Sequence, residues 1–171
     1  AELDFSSGQG IDTSESLEAF INIPISENMA ARVSAYDVTE GGFIDLVGGT
    51  KTFTGSGYTV PLIEAEDHNE SEVRGFRASL RAWVNDNLTA TLTHINQESY
   101  TVGSWDHQPD TLGKLKSNKV IAEFTDDEWS QTSLTLEGSF NDTSFTYAGT
   151  FFDRDVRYLW DYNDYVEYYQ L

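Results

Sequence analysis

The stretch E-V-R-G-F-R-A-S-L-R-A-W-V-N-D-N-L-T-A-T-L-T-H-I-N-Q, residues 72–97, alternates strictly in polarity on either side of a tight polar turn. Phe76, Ala78, Leu80 and Ala82 point one way, and Arg77, Ser79 and Arg81 the other. After the Asn85-Asp86 turn, Leu88, Ala90 and Leu92 share a face, opposite Thr89, Thr91 and Thr93. A period of two residues is the period of a β-strand, and Asn-Asp supplies turn chemistry. The stretch therefore predicts a β-hairpin with one apolar face and one polar, partly charged face. Such a hairpin fits a soluble sandwich, whose apolar face is core, or an outer-membrane barrel, whose apolar face meets lipid and whose polar face lines a lumen.

The same alternation recurs on both sides. Leu3 and Phe5 alternate with Glu2 and Asp4, and a Ser/Gly loop is expected over 6–13. Over 14–23, Leu17, Ala19, Ile21 and Ile23 face away from Glu18, Phe20 and Asn22. Pro24 weakens the ladder, a short turn follows at 25–28, and Ala31, Val33 and Ala35 then alternate with Arg32, Ser34 and Tyr36. Residues 119–124 read as a short strand or as the upper part of a longer one. Leu134, Leu136, Gly138 and Phe140 lead into a tight turn at 141–143, and Phe145, Tyr147, Gly149 and Phe151 return.

The connections discriminate between the two readings. Short turns at 25–28, 84–87 and 141–143 fall at one end of the strands, and long connections over 39–69 and 98–117 at the other. Long structureless loops count against a small sandwich, whereas short turns on one side and long loops on the other are usual in outer-membrane barrels. Strands of about ten residues suit a tilted crossing of the hydrocarbon layer. Glu18, Arg32, Arg77, Arg81 and Glu137 lie inside strands, where a wet lumen accepts charge. Tyr36, Trp83, Trp129 and Phe140 near strand ends are expected as membrane-interface aromatics. An all-β, antiparallel up-and-down transmembrane barrel segment of about six or seven strands follows.

Composition sets further bounds. Hydrophobic residues are 39%, low for a compact soluble domain but usual where a lumen and long loops are polar. A net charge of −19 excludes binding to nucleic-acid phosphates and favours cations. Without cysteine there is neither disulfide framework nor thiolate metal site. No apolar run is long enough for a membrane helix, so any crossing must be by strands. The chain opens on A-E-L-D-F with no signal peptide, which suggests a mature chain or an internal fragment.

No catalytic constellation emerges. His68, His94 and His107 lack ligand spacing; His94 reads as a rim residue and His107, between Asp106 and Asp110, as a solvated loop residue. Acidic pairs such as Asp126/Asp127 and Asp153/Asp155 are what so acidic a chain produces by chance. No metal, cofactor or chemical step is expected. The loop aromatics are more informative. Trp105, His107, Tyr158, Trp160, Tyr162 and Tyr165 are the candidate ligand contacts, because flat aromatic faces suit sugars or planar chelates.

Three segments carry a family resemblance. N-I-P-I-S-E-N-M-A-A-R-V-S-A-Y (22–36) with G-G-F-I-D (41–45), V-R-G-F-R-A-S-L-R-A-W-V-N-D-N-L-T-A-T-L (73–92) and S-L-T-L-E-G-S-F-N-D-T-S-F-T-Y-A-G-T-F-F-D (133–153) resemble successive barrel hairpins of TonB-dependent receptors. The resemblance implies that residues 1–171 are part of such a barrel, without the family's plug domain or its C-terminal strands. It implies a place in the outer membrane of a Gram-negative bacterium, in contact with its lipid. It implies uptake of a siderophore, cobalamin or glycan as small-molecule ligand, powered by the TonB energy-transducing complex acting through the plug. The alternative is a secreted acidic β-sandwich that binds carbohydrate.

Overall fold

The alternating runs pair with one another in the order in which the chain supplies them. A computed structural model describes residues 2–8 and 11–169. The elements are β1 (Glu2–Gly8), β2 (Ile11–Ser26), β3 (Met29–Glu40), β4 (Asp45–Leu46), β5 (Gly49–Thr52), β6 (Thr59–Leu62), β7 (Ser71–Asn85), β8 (Leu88–Val102), β9 (Lys116–Ser117), β10 (Phe124–Phe140), β11 (Thr143–Leu159) and the helix α1 (Asn163–Tyr168). One seven-stranded sheet has the order β1-β2-β3-β7-β8-β10-β11, every neighbour antiparallel. It is an up-and-down meander, open, with β1 and β11 at its edges. β4 and β9 form a small parallel pair, and β5 and β6 a small antiparallel one.

Turn chemistry fixes the register. The hairpins β2–β3, β7–β8 and β10–β11 close through the two-residue turns Glu27-Asn28, Asp86-Asn87 and Asn141-Asp142, all at one end of the sheet. In the β10–β11 turn Asn141 has φ 53°, which Asn tolerates, whereas the other two hairpins carry a register shift beside the turn, between Pro24 and Ser26 and between Trp83 and Asn85. A register slip of one residue would turn every side chain over, so these turns decide what each face carries.

On one face, Ile23, Ala31, Leu80, Leu92, Leu134 and Gly149 stand in a single cross-strand row. Toward the other end of the strands that face turns charged: Asp37, Arg74, Glu98, Glu128 and Asp155 form a row. Opposite-charge neighbours hold these outer ends, Arg74 donating to Glu98 at 2.6 and 2.8 Å and Arg157 pairing with Asp126. The other face carries Asn22, Arg32, Ser79, Thr93, Ser133 and Thr150 in one row. Glu18, Arg77, Arg81 and Glu137 share it.

Nothing covers the apolar face. Ile21 is 57% exposed, Leu92 48% and Phe151 70%, and the only buried hydrophobic residues among those described, Ile44 and Leu46, lie outside the large sheet. The described residues thus form one layer, without the second facing sheet that a sandwich requires. Basic residues are also segregated. All six arginines lie in the long strands, and the four lysines, Lys51, Lys114, Lys116 and Lys119, lie in the connections.

Several sequence expectations need correction. The strands exceed ten residues, β10 and β11 having 17 each, because cross-strand ion pairs extend the ladder beyond the apolar run. Of the expected 6–13 loop, residues 6–8 and 11–13 are strand, with a register shift between Ser6 and Gly8, and residues 9–10 lie outside the described residues. Residues 119–123 are not strand, and β10 begins at Phe124. His94 is no rim residue; it stands inside β8 beside Phe76, its Nδ1 2.8 Å from Thr132 Oγ1. Tyr36, Trp83 and Trp129 stand on the polar face and not on the apolar one that a lipid-facing belt would use. Polar-face partners hold them there: Tyr36 donates to Gln97 at 2.6 Å, Trp83 lies under Arg81, and Trp129 packs on Phe152. Phe140, beside the β10–β11 turn, does lie on the apolar face.

Gly75 shows how tightly this polar face is fitted. The Tyr36 ring lies over it, and an added Cβ would stand 2.7 Å from the Tyr36 hydroxyl and 2.6 Å from the Asn96 carbonyl. Gly75→Val should therefore expel Tyr36, break its bond to Gln97 and cost about 1–3 kcal/mol, read as a lowered unfolding midpoint.

Candidate functional site

The long connections do not hang free. The segments 41–70, 103–123 and 160–169 fold into a cap at the charged end of the sheet, opposite the two-residue turns. Its entry is tight. Asp12 N–H donates to the Gly42 carbonyl at 2.9 Å, and a Cβ on Gly42 would collide with the Asp67 carbonyl, so only glycine fits. The Asn69 side chain accepts from the N–H groups of Phe43 and Ile44 at 2.7 and 2.8 Å. Ile44 and Leu46 fill the interior, and Leu46 exchanges backbone bonds with Ala65 at 2.8 and 3.2 Å.

Ionic and hydrogen-bonded groups hold the rest. The Lys119 ammonium donates to Glu123 and to Asp106, each at 3.1 Å; the Lys119 and Glu123 side chains are 8% and 4% exposed. Glu123 also accepts from Ser104 Oγ at 2.6 Å and from the Asp161 N–H at 2.9 Å. The Asp161 carboxylate accepts from the N–H groups of Val120, Ile121 and Asn163. α1 is pinned at both ends: Lys51 donates to Asn163 and Asp164, and Glu167 accepts from Thr54.

These contacts set the protonation states. Burial pushes Asp106 up, but bonds from Ser104 and Lys119 outweigh it and hold the carboxyl below its ordinary range. Burial likewise opposes Asp161, and the N–H groups of Val120, Ile121 and Asn163 prevail and lower it. The bonds from Thr54 lower Glu167. Burial pushes Lys119 down, yet Asp106 and Glu123 more than reverse this and raise it. Burial pushes His68 below its usual 6.5, against the pull of Glu123 and with the help of Lys119.

The aromatic candidates decorate the outside of this cap. Trp105, His107, Tyr158, Trp160, Tyr162 and Tyr165 are all exposed. Tyr158 belongs to the outer end of β11 and not to a loop; it meets Trp160 edge-on at 6.1 Å. Tyr162, Tyr165 and Tyr169 form a chain of rings, with centroids 6.4 and 4.6 Å apart. Trp105 makes no ring contact with either group, and His107 stands apart from the Lys119 cluster that engages its neighbour Asp106. The Lys119–Glu123–Asp161 cluster and α1 were not anticipated. Their available signals were a Lys-Glu pair four residues apart and the D-x-N run at 161–163.

Compared with protein-family models, with curated proteins and with solved structures, the chain matches none.

Two outcomes test the cap. Lys119→Met leaves Glu123 buried without its counter-charge and should destabilise the cap by about 3–5 kcal/mol, whereas Lys119→Met with Glu123→Leu should cost much less. Amide exchange over 41–70 and 103–123 would report both. Acid should act in two stages. His68 has a lowered pKa, so the opened cap binds its proton first, and protection falls as pH drops below 6.5. Asp106, Asp161 and Glu167 add a second loss below about pH 4, where their unfolded forms protonate. Lys119, being raised, contributes throughout this range and is lost only in strong alkali. His68→Gln should abolish the first stage alone.

Proposed function

We propose that this chain forms part of the wall and the outer loops of an outer-membrane β-barrel receptor of the TonB-dependent kind, which takes up a scarce nutrient without a chemical step. The observation that carries this reading is the uncovered apolar face of a single-layer meander. A monomeric soluble protein rarely leaves so wide an apolar patch open, and lipid is the solvent that accepts it. On β2 the apolar positions run from Leu17 to Ile25, about 26 Å along the strand and about 20 Å when tilted, close to the height of a barrel's lipid-facing band.

Other features agree with it. The apolar run reaches a higher row on β2, at Leu17, than on β8, where it breaks after Leu92 and Glu98 occupies the Leu17 row. A lipid-facing band crosses hydrogen-bond rows obliquely in this way when strands tilt against the membrane normal. Two-residue turns at one end and a folded loop cap at the other correspond to the inner and outer sides of such a barrel. The unpaired edges β1 and β11 suit continuation into further strands. Ligand would first meet the exposed rings of the cap. Energy would enter through a plug domain, which none of the described residues forms.

Adjacent residues on opposite faces give a direct test. In lipid vesicles Leu134→Arg should cost about 2–4 kcal/mol of folding free energy, and Thr135→Arg about 1 kcal/mol or less. Equal costs, or a protein that folds in water unaffected by Leu134→Arg, would sink the membrane reading. Trp160→Ala with Tyr162→Ala in the full-length receptor should weaken ligand binding; unchanged affinity would remove those rings from the site.

A further inference from the structure

The six arginines are used in two different ways. At the charged ends of the strands, Arg74, Arg154 and Arg157 are each tied to a carboxylate, Arg154 holding Asp127 through two bonds of 2.7 Å. On the polar face of β3 and β7, Arg32 and Arg77 form no ion pair with any described residue, and Arg81 reaches Glu137 only at 3.6 Å. With 29 acidic residues against 10 basic ones, shortage of carboxylate is not the reason.

Register places these three together. Arg32 stands opposite Ser79 on β7, so Arg77 and Arg81 flank it diagonally. Like charges at such positions repel, which raises the value of an anion that neutralises them. Aromatic rings hold two of them: Arg32 lies over Phe20 at 4.5 Å, and Arg81 over Trp83 at 5.7 Å. A guanidinium stacked on a ring uses its face and keeps its in-plane N–H fork free for a carboxylate. The three line one hollow together with Asn22, Ser34 and Ser79, all of which can donate hydrogen bonds.

We infer that Arg32, Arg77 and Arg81 form a binding site for a small polycarboxylate on the polar face of the sheet. Arg77 and Arg81 start about 13 Å apart along β7, with Arg32 about 7–8 Å from each across the ladder. That spread fits a molecule with two or three separated carboxylates better than one compact phosphate. Glu137 is the internal competitor, loosely occupying Arg81. The site is a property of the sheet face and holds whatever closes the sheet or surrounds it.

The test is titration of the full-length protein, folded in detergent micelles, with propane-1,2,3-tricarboxylate, followed by calorimetry and by tryptophan fluorescence, the change assigned to Trp83 by its loss in Trp83→Phe. The tricarboxylate should bind at least tenfold more tightly than acetate or inorganic phosphate. Arg77→Gln should weaken it at least tenfold, and Arg157→Gln, at a paired site elsewhere, should not. Glu137→Gln should tighten it severalfold, which general damage to the sheet cannot do. Equal weakening by Arg77→Gln and Arg157→Gln would mean diffuse charge only and overturn the site. So would a tricarboxylate no tighter than acetate, as when an acidic segment of the protein already fills the hollow.

Discussion

A sheet can satisfy its backbone hydrogen bonds by pairing strands, but one layer cannot cover its own apolar face. That constraint governs this protein. From β2 to β10 each long strand has a neighbour on both sides, so the backbone is largely indifferent to the loss of water. The side chains are not indifferent. Leu80, Leu92 and Leu134 align in one row, and nothing in the described chain is laid over them. On the receptor reading proposed above, that covering comes from outside the chain, and the alternation states which face would meet it.

The cap solves a different problem by different means. With Ile44 and Leu46 the only buried hydrophobic residues among those described, it has too little apolar area to hold together by burial alone. Charge and hydrogen bonding do the rest: Glu123 receives a lysine, a serine and a backbone N–H, and Asp161 gathers three N–H groups. A charged centre of this kind is costly to break from one side and makes the cap a separate unit of stability from the sheet beneath it.

How much was legible follows from these two designs. The hairpins could be read because apolar alternation and two-residue turns are local signals, and residues 72–97 contain both. Strand lengths could not, because Asp126, Asp127, Arg154 and Arg157 join the ladder through cross-strand pairing, which hydropathy does not report. Tyr36, Trp83 and Trp129 could be placed near strand ends, but parity assigns them to the polar face, where Gln97, Arg81 and Phe152 receive them. α1 escaped notice because its stability comes from Lys51 and Thr54, more than a hundred residues earlier, and not from an apolar stripe. The polar-face charges were legible singly, whereas the clustering of Arg32 with Arg77 and Arg81 depends on the β3–β7 register across a long connection.

The division of basic residues has a practical side. Every lysine side chain lies in the cap and every arginine in the ladders. Acylation of lysine side chains is thus confined to one end of the molecule. Lys114 and Lys116 are exposed there, Lys51 is largely covered, and Lys119 is buried in its ion pairs. An acylating reagent would meet two ready lysines and two guarded ones, so the order in which the four react records the folding of the cap.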